Sequence, residues 1–179
     1  MAVPIHLAYM DGRGPDWLDA VIGGLADVFP GPVRRLIAPV DLAPCYVPGR
    51  EQHHATLVLA ALLRHRPDDH SKIVGVVAVD LFIPVLTFVF GQAQLAGPGA
   101  IVSTYRLRPS YYGLPADEGA LVERTIKECV HELGHAFGLV HCADYRCVMH
   151  ASTSVEEVDL KPAGFCRRCV GALDERGWR

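Results

Sequence analysis

The 179-residue sequence contains no asparagine and only three glutamines, Gln52, Gln92 and Gln94. Lysine is nearly as scarce, three residues against fourteen arginines, while prolines number thirteen. Two causes produce such a pattern. Proteins of hot environments lose thermolabile amides, and a GC-rich genome removes Asn and Lys codons together; composition does not separate the two. Also missing is any block of like charge. With a net charge of −3, nothing in the electrostatics calls for nucleic acid or an acidic membrane as partner. No long hydrophobic run survives inspection: the greasiest stretch, 73–90, is interrupted by Asp80 and Pro84, so it reads as two strands rather than a bilayer helix. The opening Met-Ala-Val-Pro-Ile-His-Leu lacks the basic and long apolar regions of a secretory signal. The expectation is a cytoplasmic monomer, and in that setting six cysteines favour metal ligation over disulfides.

What is present suits one domain with a substantial core, half of its residues being apolar. Strands are expected at Pro4–Met10, Val33–Val40, Ser71–Val79, Leu86–Gln92 and Ala100–Leu107, the last two flanking a Gly-Pro-Gly turn at 97–99. Helices are expected at Asp16–Val28, where Trp17, Leu18, Val21, Ile22, Leu25 and Val28 share a face, and at the Ala- and Leu-rich Glu51–His65. A long helix, Glu118–Phe137, should bury Leu121, Val122, Ile126, Val130, Leu133 and Phe137. Asp41–Arg50 and Arg108–Asp117 read as loops, and beyond Gly138 no regular structure is legible. The layout is α+β: a mixed twisted sheet with two backing helices and the long helix, residues 1–138, followed by a small irregular subdomain, 139–179.

The chemistry concentrates in His-Glu-Leu-Gly-His-Ala-Phe-Gly-Leu-Val-His, residues 131–141. His131 and His135 are four apart on the expected helix, so both project to one side and can share a metal ion. Glu132 lies about 100° around the helix, poorly placed as a close ligand but well placed to act as a general base on water. Gly138 can adopt the left-handed conformation that ends helices, and three residues later His141 can return to the same metal. Three protein ligands leave a fourth position open, the mark of a catalytic rather than a closed zinc site. By composition alone the short His-Glu-x-x-His motif arises in about one such chain in 40, the long form in about one in ten thousand.

Cys142, Cys147, Cys166 and Cys169 form C-x4-C and C-x2-C pairs, which suit a closed four-thiolate zinc site. Two disulfides, free thiols or a redox Cys-x-x-Cys remain alternatives. If the backbone is extended at 141–142, His141 faces one metal and Cys142 the other. Arg167 and Arg168 beside the last pair read as solvated surface rather than a nucleic-acid contact. Cys129, two before His131, should face away from the metal as a small buried hydrophobe; Cys45, among prolines, reads as an inert loop residue, with a latency role as a zinc-capping thiolate the less favoured reading. His6, His53, His54, His65 and His70 show no ligand spacing.

The 131–141 stretch resembles the long zinc signature of the metzincins, and its continuation into Cys142, Cys147-Val148-Met149 and Cys166-Arg-Arg-Cys169 is similar to the archaemetzincins. Sixteen residues separate Met149 from Cys166, one fewer than that family's pattern. The resemblance implies a metzincin-like fold, a peptidase using two Zn2+ ions, one catalytic and one structural, and a Met-turn at Met149 under the metal. Phe90-Gly91-Gln92-Ala93 and Ser103–Leu107 resemble the family's last two strands, which implies that Phe90–Ala93 is an edge strand pairing with a peptide substrate. Some metzincins place a tyrosine two residues after the methionine; here that position is Ala151, leaving Tyr111, Tyr112 or His150 as substitutes. A zinc-binding protein with restricted or no proteolytic activity is the competing reading. The missing asparagine and the proline content predict a melting midpoint above the ordinary band of about 45–65 °C. Calorimetry showing a midpoint inside that band would assign the composition to codon usage.

Overall fold

The computed structural model describes residues 2–178. Its main sheet has five strands: β1 (Ile5–Tyr9), β2 (Val33–Ile37), β5 (Lys72–Val77), β7 (Gly91–Ala93) and β8 (Gly99–Ser103), in the order β2-β1-β5-β8-β7. All neighbours are parallel except β7, which runs antiparallel to β8 at the edge. A smaller sheet joins β3 (Tyr46–Val47), β4 (Gln52–His54) and β6 (Leu81–Phe82) in the order β3-β4-β6.

Side chains alternate across a strand, and here both faces are covered, as mostly parallel sheets require. Ile5, Leu7, Val74, Val76, Ala100 and Val102 point to one face. There they meet α1 (Leu18–Val28) through Leu18, Val21 and Leu25, and the long helix α3 (Glu118–Ala136) through Val130 and Leu133. Ala8, Met10, Ile73, Val77 and Ile101 point to the other, against Val58, Leu59 and Leu62 of α2 (Ala55–Leu63). The helix approaches closely at Gly75, where a Cβ would stand 2.7 Å from both Leu62 Cδ2 and Met10 Sδ.

Differences from the sequence reading have local causes. The second helix begins at Ala55, not Glu51: Glu51 is turned to φ 55, and Gln52–His54 instead pair with β3 and β6. Leu86–Gln92 is not one strand. Leu86 N donates to Ile83 O and Val89 bridges back to Leu81, so the chain doubles over at Pro84, which has no N–H to give a ladder. Arg106 clamps this hairpin, binding Asp80 through two nitrogens at 2.8 and 2.7 Å and covering the Phe88 ring at 4.2 Å. Short 3₁₀ turns occupy Ala43–Cys45 and Pro109–Tyr112 within the two expected loops.

Beyond Gly138 the chain forms two further helices, α4 (Val155–Leu160) and α5 (Arg167–Asp174). Their length explains why periodicity missed the first, at six residues. The same apolar cluster that holds the sheet face continues through Val148, Met149, Val155, Val158, Leu173 and Trp178. Three contacts tie α4 and the residue after it to α3: Arg124 binds Asp159 twice at 2.7 Å, Lys127 Nζ donates to Asp159 O at 3.1 Å, and Lys161 meets Glu128 at 3.0 Å. Among the described residues no helix is long and apolar enough to cross a membrane.

Candidate active site and metal centres

Helix α3 begins where the Asp117 side chain accepts from Ala120 N at 2.9 Å, capping the first turn. It ends at Ala136, and the chain is turned away just beyond by Gly138, whose φ of +95° is open to glycine at little cost; the Gly138 N–H bonds His135 O, and Leu139 N bonds Gly134 O. A Cβ there would also meet the Arg176 guanidinium at 2.8 Å. This stop redirects the chain so that His141 faces back toward His131 and His135, with ring centroids 5.3 and 4.9 Å away. One nitrogen from each of the three histidines lies within 4.8 Å of the others.

The tautomers of the first two follow from their partners. His131 Nδ1 lies 2.8 Å from Val148 O, and His135 Nδ1 lies 2.8 Å from Leu139 O. A carbonyl only accepts, so each Nδ1 carries the proton and each Nε2 presents a bare lone pair. Those Nε2 atoms stand 3.1 Å apart. Two facing lone pairs repel unless a cation lies between them, and a tetrahedral zinc with Zn–N near 2.0–2.1 Å needs nitrogens about 3.3 Å apart. Burial lowers the pKa of all three histidines, His131 most strongly, so neutral imidazoles are available as ligands. The donor set fits zinc.

Glu132 is buried between α3 and the edge strand. A Cβ at Gly91 would stand 2.7 Å from Glu132 Cγ and 2.8 Å from its Oε1, so the carboxylate lies directly against β7. Burial, aided by the Glu128 carboxylate and opposed by Lys161, raises its pKa well above the ordinary carboxyl range; a nearby dication would counter this. The histidines and Glu132 open into a cleft of about 400 Å³, roofed by the 83–91 segment and walled below by Ala151, Ser152 and Thr153.

The cysteines form the second group. All six are free thiols, and Cys142, Cys147, Cys166 and Cys169 place their sulfurs within 4.8 Å of one another. Cys142 and Cys166 are 3.8 Å apart, Cys147 and Cys169 3.7 Å. A disulfide needs about 2.05 Å, whereas a tetrahedral zinc with bonds near 2.3 Å spaces its sulfurs by about 3.8 Å. Backbone N–H groups aim at them: Asp144 N lies 3.4 Å from Cys142 Sγ and Cys166 N 3.3 Å from Cys147 Sγ, while the Arg168 guanidinium reaches Cys142 Sγ at 3.2 Å. Burial pushes the Cys142 thiol up, but the Asp144 N–H, the Arg168 guanidinium and the Cys166 and Cys169 thiols outweigh it and bring it down to about 7. Arg168 therefore has a partner within the site.

Met149 is fully buried beneath α3. A Cβ on Gly134, the residue just before His135, would overlap Met149 Sδ and lie 3.1 Å from Phe165 Cε1. The methionine sits in a turn closed by His150 N donating to Cys147 O, and Cys142 N donates to Met149 O.

With this geometry in place, the comparisons with known proteins are decisive. A family model described as peptidase family M54 matches residues 49–175. The chain belongs to peptidase family M54. It is similar to the archaemetzincin of Methanopyrus kandleri, 37% identical over 175 residues, 93% of both chains, and to that of Methanocaldococcus jannaschii, 44% identical over 128 residues, 72% of this chain and 69% of that protein. Its structure is similar to the crystal structure of the Methanopyrus kandleri archaemetzincin, with a TM-score of 0.85 at 36% identity covering 99% of this chain and 97% of that one. It also resembles the Archaeoglobus fulgidus archaemetzincin complexed with malonate, TM-score 0.80 at 34% identity, covering 94% and 99%. Membership in the M54 family establishes a metzincin-like α+β fold and zinc metallopeptidase function, and does not favour the non-catalytic alternative.

The remaining sequence candidates divide. Phe90 and Gly91 line the cleft. Gln92 turns to Thr56, with amide and hydroxyl 3.0 Å apart, and Ala93 packs toward the core. Tyr111 and Tyr112 are outside the cleft lining, and the Tyr112 hydroxyl donates to Arg106 O. His150 is engaged with Cys142 O through Nδ1. Cys129 is wholly buried, and burial raises its thiol pKa far out of reach of ionisation; Cys45 is buried in the α2 core. Sequence reasoning missed Glu128, Ser152 and Lys161. Glu128 had a signal, its spacing of three from His131 and four from Glu132 on one helix; Lys161 had none, since its contact to Glu128 spans 33 positions of sequence.

Gly134→Ala should be destabilising by about 1–2 kcal/mol, because overpacking against Met149 exceeds the helix-propensity gain of alanine. Urea unfolding reads this as a lower midpoint with unchanged slope; an unaltered or higher midpoint would show that Met149 is not held against the helix.

Proposed function

We propose that this zinc metallopeptidase hydrolyses peptides bound in extended form along β7, with Glu132 as the general base and His131, His135 and His141 as the ligands of one zinc. Zinc held there supplies Lewis acidity, polarising the scissile carbonyl and acidifying a water. The observation that carries the reading is the placement of the Glu132 carboxylate against Gly91 of the edge strand, in the cleft that the paired histidines also line.

Glu132 takes the proton of the attacking water and returns it to the leaving amine. The helix keeps it out of the ligand set. The outer edge of β7 has backbone groups unused by the sheet, since only β8 pairs with it. An extended substrate can complete that ladder, with Phe90 and Gly91 beside the cleft and Gln92 and Ala93 continuing the edge.

A second zinc belongs to Cys142, Cys147, Cys166 and Cys169, whose sulfur spacing supports it. In this reading residues 1–138 supply the base, two ligands and the edge strand, and residues 139–179 deliver the third ligand and the thiolate site. Thiols at zinc spacing, rather than joined in disulfides, support a reducing setting.

Glu132→Ala should lower kcat by a factor of about 10²–10⁴ with the metal content unchanged, because the carboxylate is not a ligand. His141→Ala should instead reduce metal content, as it removes one of three ligands. Peptide-library cleavage with parallel metal analysis checks both; equal rates for wild type and Glu132→Ala would refute the role of this carboxylate.

A further inference from the structure

His141 is exposed and stands outside the helix that carries His131 and His135. The peptide groups on either side of its neighbour Cys142 are both engaged. The Cys142 N–H donates to Met149 O at 2.9 Å, and Cys142 O lies 3.0 Å from His150 Nδ1. A carbonyl only accepts, so this nitrogen carries the proton and the imidazole donates. The His150 backbone is fixed in turn. Its N–H donates to Cys147 O at 2.9 Å, and its carbonyl accepts from Lys161 Nζ at 3.3 Å. The Lys161 ammonium also pairs with Glu128 at 3.0 Å, and Glu128 lies on α3 one turn before Glu132.

These contacts close a ring. It leaves α3 at Glu128, passes through Lys161 and His150 to Cys142 and His141, and returns to α3 through the grouped histidines. We propose that His150 and Lys161 are positioning residues that brace the third zinc ligand against the helix bearing the other two. The proposal rests on the assignment of His131, His135 and His141 to one zinc. The Lys161 side chain is 2% exposed and that of Glu128 5%. A buried ion pair is a weak reason for stability, since apolar side chains of similar volume often serve as well or better. What this pair supplies and apolar side chains cannot is a directed link from α3 to the turn at Met149 and His150. His150 supplies the second directed link, to the carbonyl beside the ligand. Metal–ligand distances tolerate only a few tenths of an ångström, so a loosened His141 weakens the histidine group, while the cysteine group keeps four ligands and holds its zinc.

The test is stepwise chelation of zinc-loaded protein, in which the readily withdrawn equivalent reports the histidine group, with urea unfolding of each variant at saturating zinc. His150→Ala should lower the histidine-group affinity about tenfold and leave the retained equivalent in place. His150→Asn keeps an N–H donor near the position of Nδ1 and should restore the affinity to within a few fold of wild type. The double variant Glu128→Leu, Lys161→Met removes both charges together, avoiding an orphaned buried ion. It should lower the same affinity several-fold without lowering the unfolding midpoint, a split that a merely structural role would not give. His141→Ala controls for the ligand set. If it leaves the labile zinc as tightly held as in wild type, the zinc assignment falls and the proposal with it. If it weakens that zinc and His150→Ala does not, the brace is overturned while the zinc assignment stands. Equal losses in His150→Ala and His150→Asn, or wild-type affinity in the double variant, would also overturn the proposal.

Discussion

A single peptide bond joins His141, exposed at the cleft, to Cys142, buried among three other thiols. Everything around the site depends on that junction being held still. His131 and His135 ride on a 19-residue helix packed on the sheet, but His141 lies five residues past its end, where a free segment would wander. Its neighbour fixes it from one side: Cys142 is buried in the four-sulfur group, and its N–H binds Met149 O. Gly138 fixes it from the other by ending the helix in a left-handed turn.

The same segment then serves the other two histidines. Val148 O orients His131 through Nδ1, Leu139 O orients His135, and Met149 fills the space under Gly134. Partners in the outer shell commonly govern metal affinity as much as ligand identity does. Here those partners are the backbone carbonyls of Leu139 and Val148, so the cysteine group and the histidine group are built on one segment of chain. Its attachment to the sheet runs through α3, and the Arg124–Asp159 and Lys161–Glu128 pairs bind the lower wall of the cleft to that helix.

The parts of this arrangement that could be read from sequence share a property: their geometry is local. His131, Glu132 and His135 are related by helical spacing, Gly138 by the demand for positive φ, and the cysteine pairs by short intervals. The long strands and helices β1, α1, β5 and α3 were legible for the same reason, since their apolar periodicity spans several turns or pleats. Three-residue strands such as β4 and β7 carry no period, and α4 has only six residues; tertiary pairing decides them. The roof of the cleft was misread as a continuous strand because its hydrophobic run hides a hairpin clamped by Asp80 and Arg106. The buried polar pair on the cleft wall depends on a contact between residues 128 and 161, which no spacing rule anticipates.

The claim that the thiolate group holds the third histidine is tested most directly by stepwise chelation of wild type and Cys169→Ser, with zinc counted at each step. Wild type should carry two equivalents, one withdrawn readily and one retained, since the histidine group keeps an open position and the thiolate group does not. In folded Cys169→Ser the histidine group, none of whose ligands has changed, should lose its zinc at a chelator concentration about 10–100-fold lower. A histidine-group affinity equal to that of wild type would contradict the account.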